Sequence, residues 1–284
     1  MFATLLGPLP RPAVPDDAPR EALLDAVLDA QSANGIEPLT DGGWALDPEP
    51  VAAWRATSRR AAGLVKAVVR GPFTTGTDGV AERQVLVELA AAGCRWIEVH
   101  EPGATTIGAD PLRRRRFAEL HRALTADLDG VHLSLAITGG NADAAGIETI
   151  LAGAYASLAL DLVGGPDNWR LAVATPGDRG LVAGVVGPDS ATDGPEILLW
   201  AAGYAASTGG RGVDRVGLAT SGSLASLSWT AAMDKVRGLG AGARLAVAPR
   251  AEQLDAVDPR AIDARSAALG RAEPPPRRAD RTGG

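Results

Sequence analysis

Along its first 240 residues the chain alternates eight short apolar runs with eight longer amphipathic segments. The runs are rich in β-branched residues and seldom alternate in polarity, which is typical of strands covered on both faces. The predicted strands are 2–6, 36–39, 64–68, 96–99, 131–135, 157–162, 181–185 and 215–218. The predicted helices are 20–33, 51–62, 80–92, 111–128, 142–154, 169–174, 195–207 and 229–239. Eight strand–helix units predict a (β/α)8 TIM barrel.

A doubly wound open sheet is the alternative fold for such an alternation. That fold normally carries a glycine-rich fingerprint after its first strand. Here the first strand is followed by Gly7-Pro8-Leu9-Pro10, which lacks the fingerprint's spacing. The sequence therefore favours the barrel. We expect one domain over 1–269, with an extra C-terminal helix over 249–269, and a disordered Pro/Arg/Gly-rich tail over 270–284.

Composition narrows the possible partners. The chain has 28 basic and 34 acidic residues, whereas a protein that coats phosphates usually has a basic excess, so we expect no nucleic-acid partner. No apolar stretch reaches the 18 residues of a membrane span, and the N-terminus does not resemble a secretory signal. The single cysteine, Cys94, cannot form an internal disulfide. We expect a cytoplasmic protein that acts on a small molecule.

In a barrel of this kind the reacting groups lie at the carboxyl ends of the strands. Polar side chains gather after the predicted strands, which predicts a small-molecule site there. The candidates for catalysis are His132, Asp161, Glu101 and His100. The candidates for substrate binding are Asp41, Trp44, Ser134 and Ser221. A site for several carboxylates would need an arginine cluster, and Arg70 is the one strong candidate.

Each catalytic candidate also has a structural interpretation. His132 lies within a buried strand, where a histidine is often only a packed, hydrogen-bonded group. Asp161 ends an apolar strand and must be solvated, paired or metal-bound. Because successive residues of a strand face opposite sides, at most one of His100 and Glu101 faces the barrel axis, and Glu101 could instead anchor a loop. Asp41 could simply cap the turn that follows it.

Several of these segments, in this order, resemble the catalytic barrel of cobalamin-independent methionine synthase and its single-domain relatives. The resemblance covers about residues 1–240 and supports the barrel. The matching segments are 4–10 (TLLGPLP), 35–42 (GIEPLTDG), 65–68 (VKAV), 71–74 (GPFT), 91–102 (AAGCRWIEVHEP), 131–134 (VHLS), 180–186 (GLVAGVV) and 222–224 (GSL).

The resemblance implies methyl transfer from a folate to a thiol that zinc activates. That family's zinc ligands are a His-x-Cys pair, an acidic residue and a later cysteine; here the matching positions are His132 and Ser134, Asp161 and Gly222. Both thiolates are therefore missing, and His132 and Asp161 remain as weak metal candidates. Such a donor set argues against zinc. A folate cofactor is implied by the resemblance alone.

Three functions remain in competition. The first is a diverged enzyme that uses methyl transfer or related acid–base chemistry without the thiolate zinc site. The second is a binding protein that has lost catalysis, and the third is a true folate-dependent homocysteine methyltransferase. The first function assumes that His132 and Asp161 point into one shared cavity, where an imidazole and a carboxylate supply both partners for proton transfer.

Overall fold

The computed structural model of the chain describes residues 1–189 and 194–257. Within these residues seven parallel strands form one sheet in the order β1-β7-β6-β5-β4-β3-β2. Their bounds are β1 Phe2–Thr4, β2 Ala67–Arg70, β3 Trp96–His100, β4 His132–Ile137, β5 Ser157–Asp161, β6 Gly180–Val186 and β7 Val216–Thr220. Every residue of β5 and β7 is buried, as expected for parallel strands covered on both faces.

Helices connect the strands. Several begin at prolines, whose fixed φ suits the first turn, and Asp110 caps α5 by accepting from the N–H groups of Leu112 and Arg113. The helices are α1 Arg20–Ala33, α2 Pro50–Arg60, α3 Pro72–Thr75, α4 Val80–Ala91, α5 Pro111–Thr125, α6 Ile147–Ile150, α7 Trp169–Ala174, α8 Pro195–Ser207, α9 Trp229–Leu245 and α10 Arg250–Ala256.

The sheet curls so strongly that strands far apart in the order meet on its inner face. Leu6, Ala136, Ala159, Val182 and Ala219 form one buried apolar cluster, although they come from β4 to β7 and from the residues after β1. The rings of Phe2 on β1 and Trp96 on β3 lie 5.3 Å apart although these strands are five places apart in the order, which a flat sheet would not allow. The helices pack on the outer face, where the larger apolar core lies. The fold is therefore an α/β fold with a curled parallel sheet.

The predicted strand 36–39 is not a regular strand, and this part of the prediction is wrong. Leu39 and Val65 form only an isolated bridge. The segment is nevertheless bonded on both sides: the N–H of Glu37 donates to the carbonyl of Ala3 at 2.7 Å, and that of Leu39 donates to Leu64 at 2.7 Å. The described residues thus contain seven strands rather than the predicted eight.

Two predicted helices also differ. The helix predicted over 142–154 is interrupted at Gly146, whose φ of 81° and ψ of 147° are not helical, so a 3₁₀ turn and the short α6 replace it. Of the helix predicted over 249–269, α10 is described, whereas 258–269 and the predicted disordered tail 270–284 lie outside the described residues. No helix of the described chain is both long and apolar enough to cross a membrane.

Candidate functional site

His132 and Asp161 lie at opposite ends of the sheet, so the expectation that they share one cavity is wrong. His132 begins β4 and Asp161 ends β5. The pairing of Ser134 with Ser157 and of Ile137 with Leu160 places Asp161 level with Thr138. His132 is six residues earlier, or roughly 20 Å away along the strand direction at about 3.3 Å per residue. The carboxyl end of β4 carries Ala136 and Thr138 instead.

His132 borders a cavity at the amino ends of the strands, which we call the amino-end cavity; its volume is about 380 Å³. Its Nε2 lies 2.8 Å from the hydroxyl of Ser157, and its ring lies 3.9 Å from that of Trp96. Burial lowers the pKa of His132 to about 4. The imidazole is therefore neutral at pH 7, and it is remote from the strand ends where catalysis was expected.

A second cavity, the carboxyl-end cavity, opens where strands end, as the fold predicts. Its volume is about 240 Å³. Two of the predicted site residues, Asp41 and His100, line it together. The other lining residues are Gly7, Pro8, Thr40, Gly42, Gly43 and Val68. Of the eight sequence-predicted site residues, these two are the ones that the structure brings to this cavity.

His100 is the last residue of β3 and is half-buried. Its Nε2 lies 2.7 Å from the hydroxyl of Thr138, which follows β4. Among the described residues its Nδ1 has no hydrogen-bond partner. Burial lowers the pKa of His100 below its ordinary value of 6.5, with Lys66 and Arg70 adding to the effect and Glu98 and Glu101 opposing it. A neutral ring with one unpaired nitrogen can therefore accept or donate a proton in this cavity.

Asp41 directly follows residues 36–40, the segment that is hydrogen-bonded to Ala3 and Leu64. One carboxylate oxygen accepts from the N–H of Gly43 at 2.8 Å, so the predicted capping interaction is present. Burial raises the pKa of Asp41 above 3.8, against the opposing effects of this hydrogen bond and of Arg20. Asp41 also lines a neighbouring cavity of about 170 Å³ beside α2. Its carboxylate therefore stands between two open spaces.

Arg70 ends β2 directly beside His100, its partner in the strand register. Side chains alternate along a strand, so Arg70 lies on the same face as Val68, which lines the carboxyl-end cavity. Arg70 is exposed, and among the described residues its side chain forms neither an ion pair nor a hydrogen bond. A guanidinium without a partner is thus available near the mouth of this cavity.

Glu101 is a buried anchor and does not line the carboxyl-end cavity. It is 0% exposed and accepts from the N–H groups of Phe73 and Thr74 at 2.9 and 2.8 Å and from the Thr74 hydroxyl. Its fourth partner is Nε2 of His121 at 3.1 Å. These bonds hold α3 and α5 against the end of β3, so the structural interpretation of Glu101 accounts for its contacts.

His121 was not among the site candidates, and the structure places it in the interior. It is fully buried, stacks on Phe117 and places Nδ1 2.5 Å from the Tyr155 hydroxyl. Burial, with the charge of Glu101 adding to it, raises the pKa of Tyr155 well above 10. A histidine four residues after Phe117 on an amphipathic helix faces the same side as that apolar residue, which was the available signal.

Asp161 holds the loops at the carboxyl ends of β4 and β5. Its oxygens accept from the N–H groups of Gly139, Val163 and Gly164 at 3.1, 3.0 and 2.7 Å. The side chain is buried, and the strand-end aspartate is therefore paired, as a carboxylate in an apolar strand must be. Through these three bonds Asp161 holds the loops at the carboxyl ends of β4 and β5 in position.

The remaining predicted substrate residues do not line the carboxyl-end cavity. Trp44 is half-buried and packs against the core, and its indole Nε1 is a buried donor with no partner. Ser134 is buried within β4, and its hydroxyl also has no partner. Ser221 is buried just after β7, where its N–H donates to the carbonyl of Val186. The structure thus separates these three side chains from Asp41 and His100.

A buried ion pair below the carboxyl-end cavity was also missed. Nζ of Lys66 lies 2.5 Å from Oε2 of Glu98 and donates to the carbonyl of Leu5 at 2.8 Å. The side chains are 1% and 3% exposed. Both residues lie within sequence segments that are otherwise apolar and typical of buried strands. Two opposite charges in neighbouring buried strands predict such an ion pair.

The zinc site implied by the sequence resemblance does not fit this arrangement. Of the four matched positions, His132 is at the amino end, Ser134 is enclosed within β4, and Gly222 offers no side-chain donor. Asp161 is engaged by three backbone N–H groups. Cys94 is buried, and its Sγ lies 3.1 Å from the carbonyl of Trp96 at the start of β3. Among the described residues no three His, Cys, Asp or Glu side chains form a group that could hold a metal ion.

Two solved structures share this fold. A B12-independent methionine synthase from Shewanella sp. W3-18-1, in complex with selenomethionine, superposes with a TM-score of 0.67 at 16% identity, over 86% of this chain and 96% of that one. A putative vitamin-B12 independent methionine synthase from Listeria monocytogenes gives 0.66 at 11% identity, over 86% and 98%. No protein-family model matches the chain, and no curated protein matches it either. The resemblance inferred from the sequence is confirmed for the fold.

Proposed function

We propose that the chain is a methionine-synthase-like barrel enzyme that acts on a small molecule in the carboxyl-end cavity, with His100 as its acid–base group. The observation that carries this proposal is the unpaired Nδ1 of His100 in a cavity that also contains Asp41. The fold supports the location, because barrel enzymes place their reacting groups at the carboxyl ends of the strands. His132 and Asp161, the earlier candidates, are replaced by His100 and Asp41.

The barrel itself is part of this proposal. We infer that the sheet closes through residues 36–40, because this segment is hydrogen-bonded to Ala3 on one side and to Leu64 on the other. Closure would make it the second of eight strands and complete a (β/α)8 barrel. The residues that line the carboxyl-end cavity come from both sides of this junction, so closure and the cavity depend on each other.

The reaction that suits these groups is methyl transfer to a nucleophile that needs no zinc. A heteroatom of the acceptor attacks the methyl carbon of the donor, the bond between methyl and donor breaks, and the donor keeps the electron pair. The neutral imidazole of His100 takes the proton that the acceptor loses. Its lowered pKa keeps the ring neutral to a lower pH than usual, so this step stays available below pH 6.5.

Arg70 supports a substrate with an anionic group. Its guanidinium stands without a partner in the described part of the chain, next to His100 in the register. Guanidinium groups bind carboxylates and phosphates in two-point contacts. Asp41, whose pKa is raised by burial, can in turn meet a donor group of the substrate or carry a proton. These groups orient a polar small molecule without help from a metal.

A binding protein without catalysis is the second candidate. The lining of the carboxyl-end cavity contains just two titratable side chains, Asp41 and His100, and is otherwise largely glycine, proline and apolar residues. A site so poor in reactive groups also suits reversible binding. A folate-dependent homocysteine methyltransferase is disfavoured by the donor set, because the chain's single cysteine is buried away from the carboxyl ends.

The test is a ligand screen by thermal shift, followed by turnover assays. Candidate methyl donors and acceptors, including pterins, thiols and amines, are added to the wild type, to His100→Gln and to His132→Phe. We expect a ligand at 100 times its Kd to stabilise the wild type by about 2.7 kcal/mol. His100→Gln should lower turnover by about 10²–10⁴-fold, whereas His132→Phe, the matched histidine at the other end, should retain it.

The outcomes separate the candidates. Binding that depends on Arg70 and Asp41 but gives no turnover would support the binding protein. Turnover that survives in His100→Gln and disappears in His132→Phe would contradict the proposed site. Tight stoichiometric zinc, with homocysteine methylation that requires it, would contradict the metal-free reaction.

A further inference from the structure

The amino-end cavity has features that a structural end of a barrel does not require. In this fold the amino ends of the strands usually serve stability, and the reacting groups lie at the other end. The cavity nevertheless measures about 380 Å³, within the roughly 300–1,000 Å³ that small-molecule sites occupy. We propose that it is a second binding site, which takes a flat nitrogen heterocycle that is neutral or cationic at neutral pH.

Aromatic rings form the inner wall of this cavity. Phe2 and Trp96 meet edge to face with their centroids 5.3 Å apart, and Trp96 and His132 lie 3.9 Å apart. The three residues begin β1, β3 and β4, so the wall is built on rigid strand starts rather than on loops. Flat apolar walls of this kind favour a planar ligand, which stacks on or packs against them.

Polar atoms without partners lie in the same wall. The indole Nε1 of Trp96 is buried with no hydrogen-bond partner. His132 bonds Ser157 through Nε2, and its Nδ1 has no partner in the part of the chain that the structure describes. Because Nε1 of Trp96 is closed off from the cavity, the nitrogen that a ligand can reach is Nδ1 of His132, which donates or accepts according to the tautomer of the ring. A heterocycle with both a ring N–H and a ring nitrogen lone pair can pair with either tautomer, whereas a hydrocarbon ring pairs with neither.

Charges at the opening decide between neutral, cationic and anionic ligands. Asp178, Asp214 and Arg215 line the outer part of the cavity and are exposed. Among the described residues the three side chains form no hydrogen bond or ion pair. Among the side chains that line the cavity, two carboxylates against one guanidinium give the lining a net negative charge at pH 7. Because His132 is itself neutral there, the cavity favours a neutral or cationic heterocycle over an anion.

The experiment uses three flat probes of similar size on the intact chain. Benzimidazole has a ring N–H and a ring nitrogen acceptor, indene has neither, and benzoate is an anion. Binding is measured by isothermal titration and by ligand-observed NMR. We expect benzimidazole to bind at least about tenfold more tightly than indene, which corresponds to one hydrogen bond, and benzoate to bind most weakly.

Variants locate the binding. Ala156 is exposed and lines the cavity, so Ala156→Trp should block it and remove benzimidazole binding. Ala154, exposed two residues earlier and outside the lining, provides the control Ala154→Trp, which should bind as the wild type does. His132→Phe keeps a ring but loses the nitrogens, and should weaken benzimidazole by about tenfold.

The proposal is overturned if no benzimidazole binding is seen at millimolar concentration, if binding persists unchanged in Ala156→Trp, or if benzoate binds as well as benzimidazole. The thermal unfolding midpoint of each variant shows that it is folded. The proposal does not depend on the function of the carboxyl-end cavity, since His100→Gln should leave benzimidazole binding unchanged.

Discussion

The two ends of the sheet differ in how fully their buried polar groups are hydrogen-bonded. At the carboxyl end, Glu101 and Asp161 each accept from several N–H groups, so their charges hold loops and short helices in place. At the amino end, the imidazole of His132 has one hydrogen bond and the indole N–H of Trp96 has none. At the carboxyl end, hydrogen-bonded carboxylates therefore fix the loops around a small cavity. The amino end instead contains a larger cavity whose wall has polar atoms without hydrogen-bond partners.

The comparison teaches that residues of one type, the three histidines, have different surroundings and different roles. His100 faces a cavity among the strand ends, His121 is enclosed by Glu101 and Tyr155, and His132 borders the opposite cavity. What a side chain can do therefore depends on its position in the fold as much as on its residue type. Carboxylates that resemble catalytic groups in the sequence can instead be the supports of the site.

The largest effect should come from removing the support at Glu101. Glu101→Ala leaves the buried His121 and two partly buried backbone N–H groups without their acceptor, and we expect a loss of about 3–5 kcal/mol in the free energy of unfolding. Urea unfolding measures it. Glu119→Ala, on the exposed face of α5, is the matched control and should change stability little. A loss at Glu101 no larger than that at Glu119 would remove the distinction between the two ends.

Asp161→Asn should have the next largest effect. The amide keeps one acceptor oxygen but cannot serve all three N–H groups, and we expect a loss of about 1.5–3 kcal/mol. Asp129→Asn, an exposed aspartate in a loop, is the control and should be nearly neutral. Equal stability of the two variants would show that Asp161 does not brace the loops.

The pH dependence of stability should identify His132 at the amino end. Its pKa is about 4 when folded and about 6.5 when unfolded, so the unfolded chain binds more protons between these values. Its contribution to stability is therefore complete above pH 6.5 and is lost as the pH falls towards 4. His132→Phe should show a smaller fall in the urea midpoint than the wild type over this window. Parallel curves for the two proteins would contradict the lowered pKa.

The smallest effect belongs to the opening of the amino-end cavity. Asp178→Asn and Arg215→Gln replace exposed groups that form no hydrogen bond or ion pair in the described chain, and should change the free energy of unfolding by no more than about 0.5 kcal/mol. Benzimidazole affinity should nevertheless fall in Asp178→Asn and rise or stay level in Arg215→Gln. A large loss of stability in either variant would mean that the charged groups at the opening stabilise the fold, as the carboxylates at the carboxyl end do.

Much of the fold followed from local patterns. The bounds of α1, α7 and α8 agree with the predicted 20–33, 169–174 and 195–207, because apolar spacing and helix-starting prolines act within a few residues. The helix predicted over 142–154 fails for an equally local reason, since Gly146 adopts a non-helical conformation that the apolar pattern does not reveal.

The site was harder to predict because it depends on strand ends. The predicted strand over 131–135 already has His132 as its second residue, and β4 begins at that histidine and runs on to Ile137, so both place it at the amino end. His132 became a site candidate because the resemblance matches it to a metal ligand, and its position within the strand did not enter that assignment. His100 and Asp41 lie beside one cavity, at points where Glu101-Pro102 and Gly42-Gly43 mark that the chain leaves the sheet.

The separation of the two ends can be tested directly by NMR, because the chain has only three histidines. Imidazole resonances of the wild type, assigned with His100→Gln and His132→Phe, are followed over pH in the wild type and in Asp161→Asn. We predict that His132 titrates with a pKa of about 4 in both proteins, since Asp161 lies at the other end of the sheet. A pKa of His132 that falls when the carboxylate of Asp161 is removed would place the two side chains in one cavity and contradict the separation.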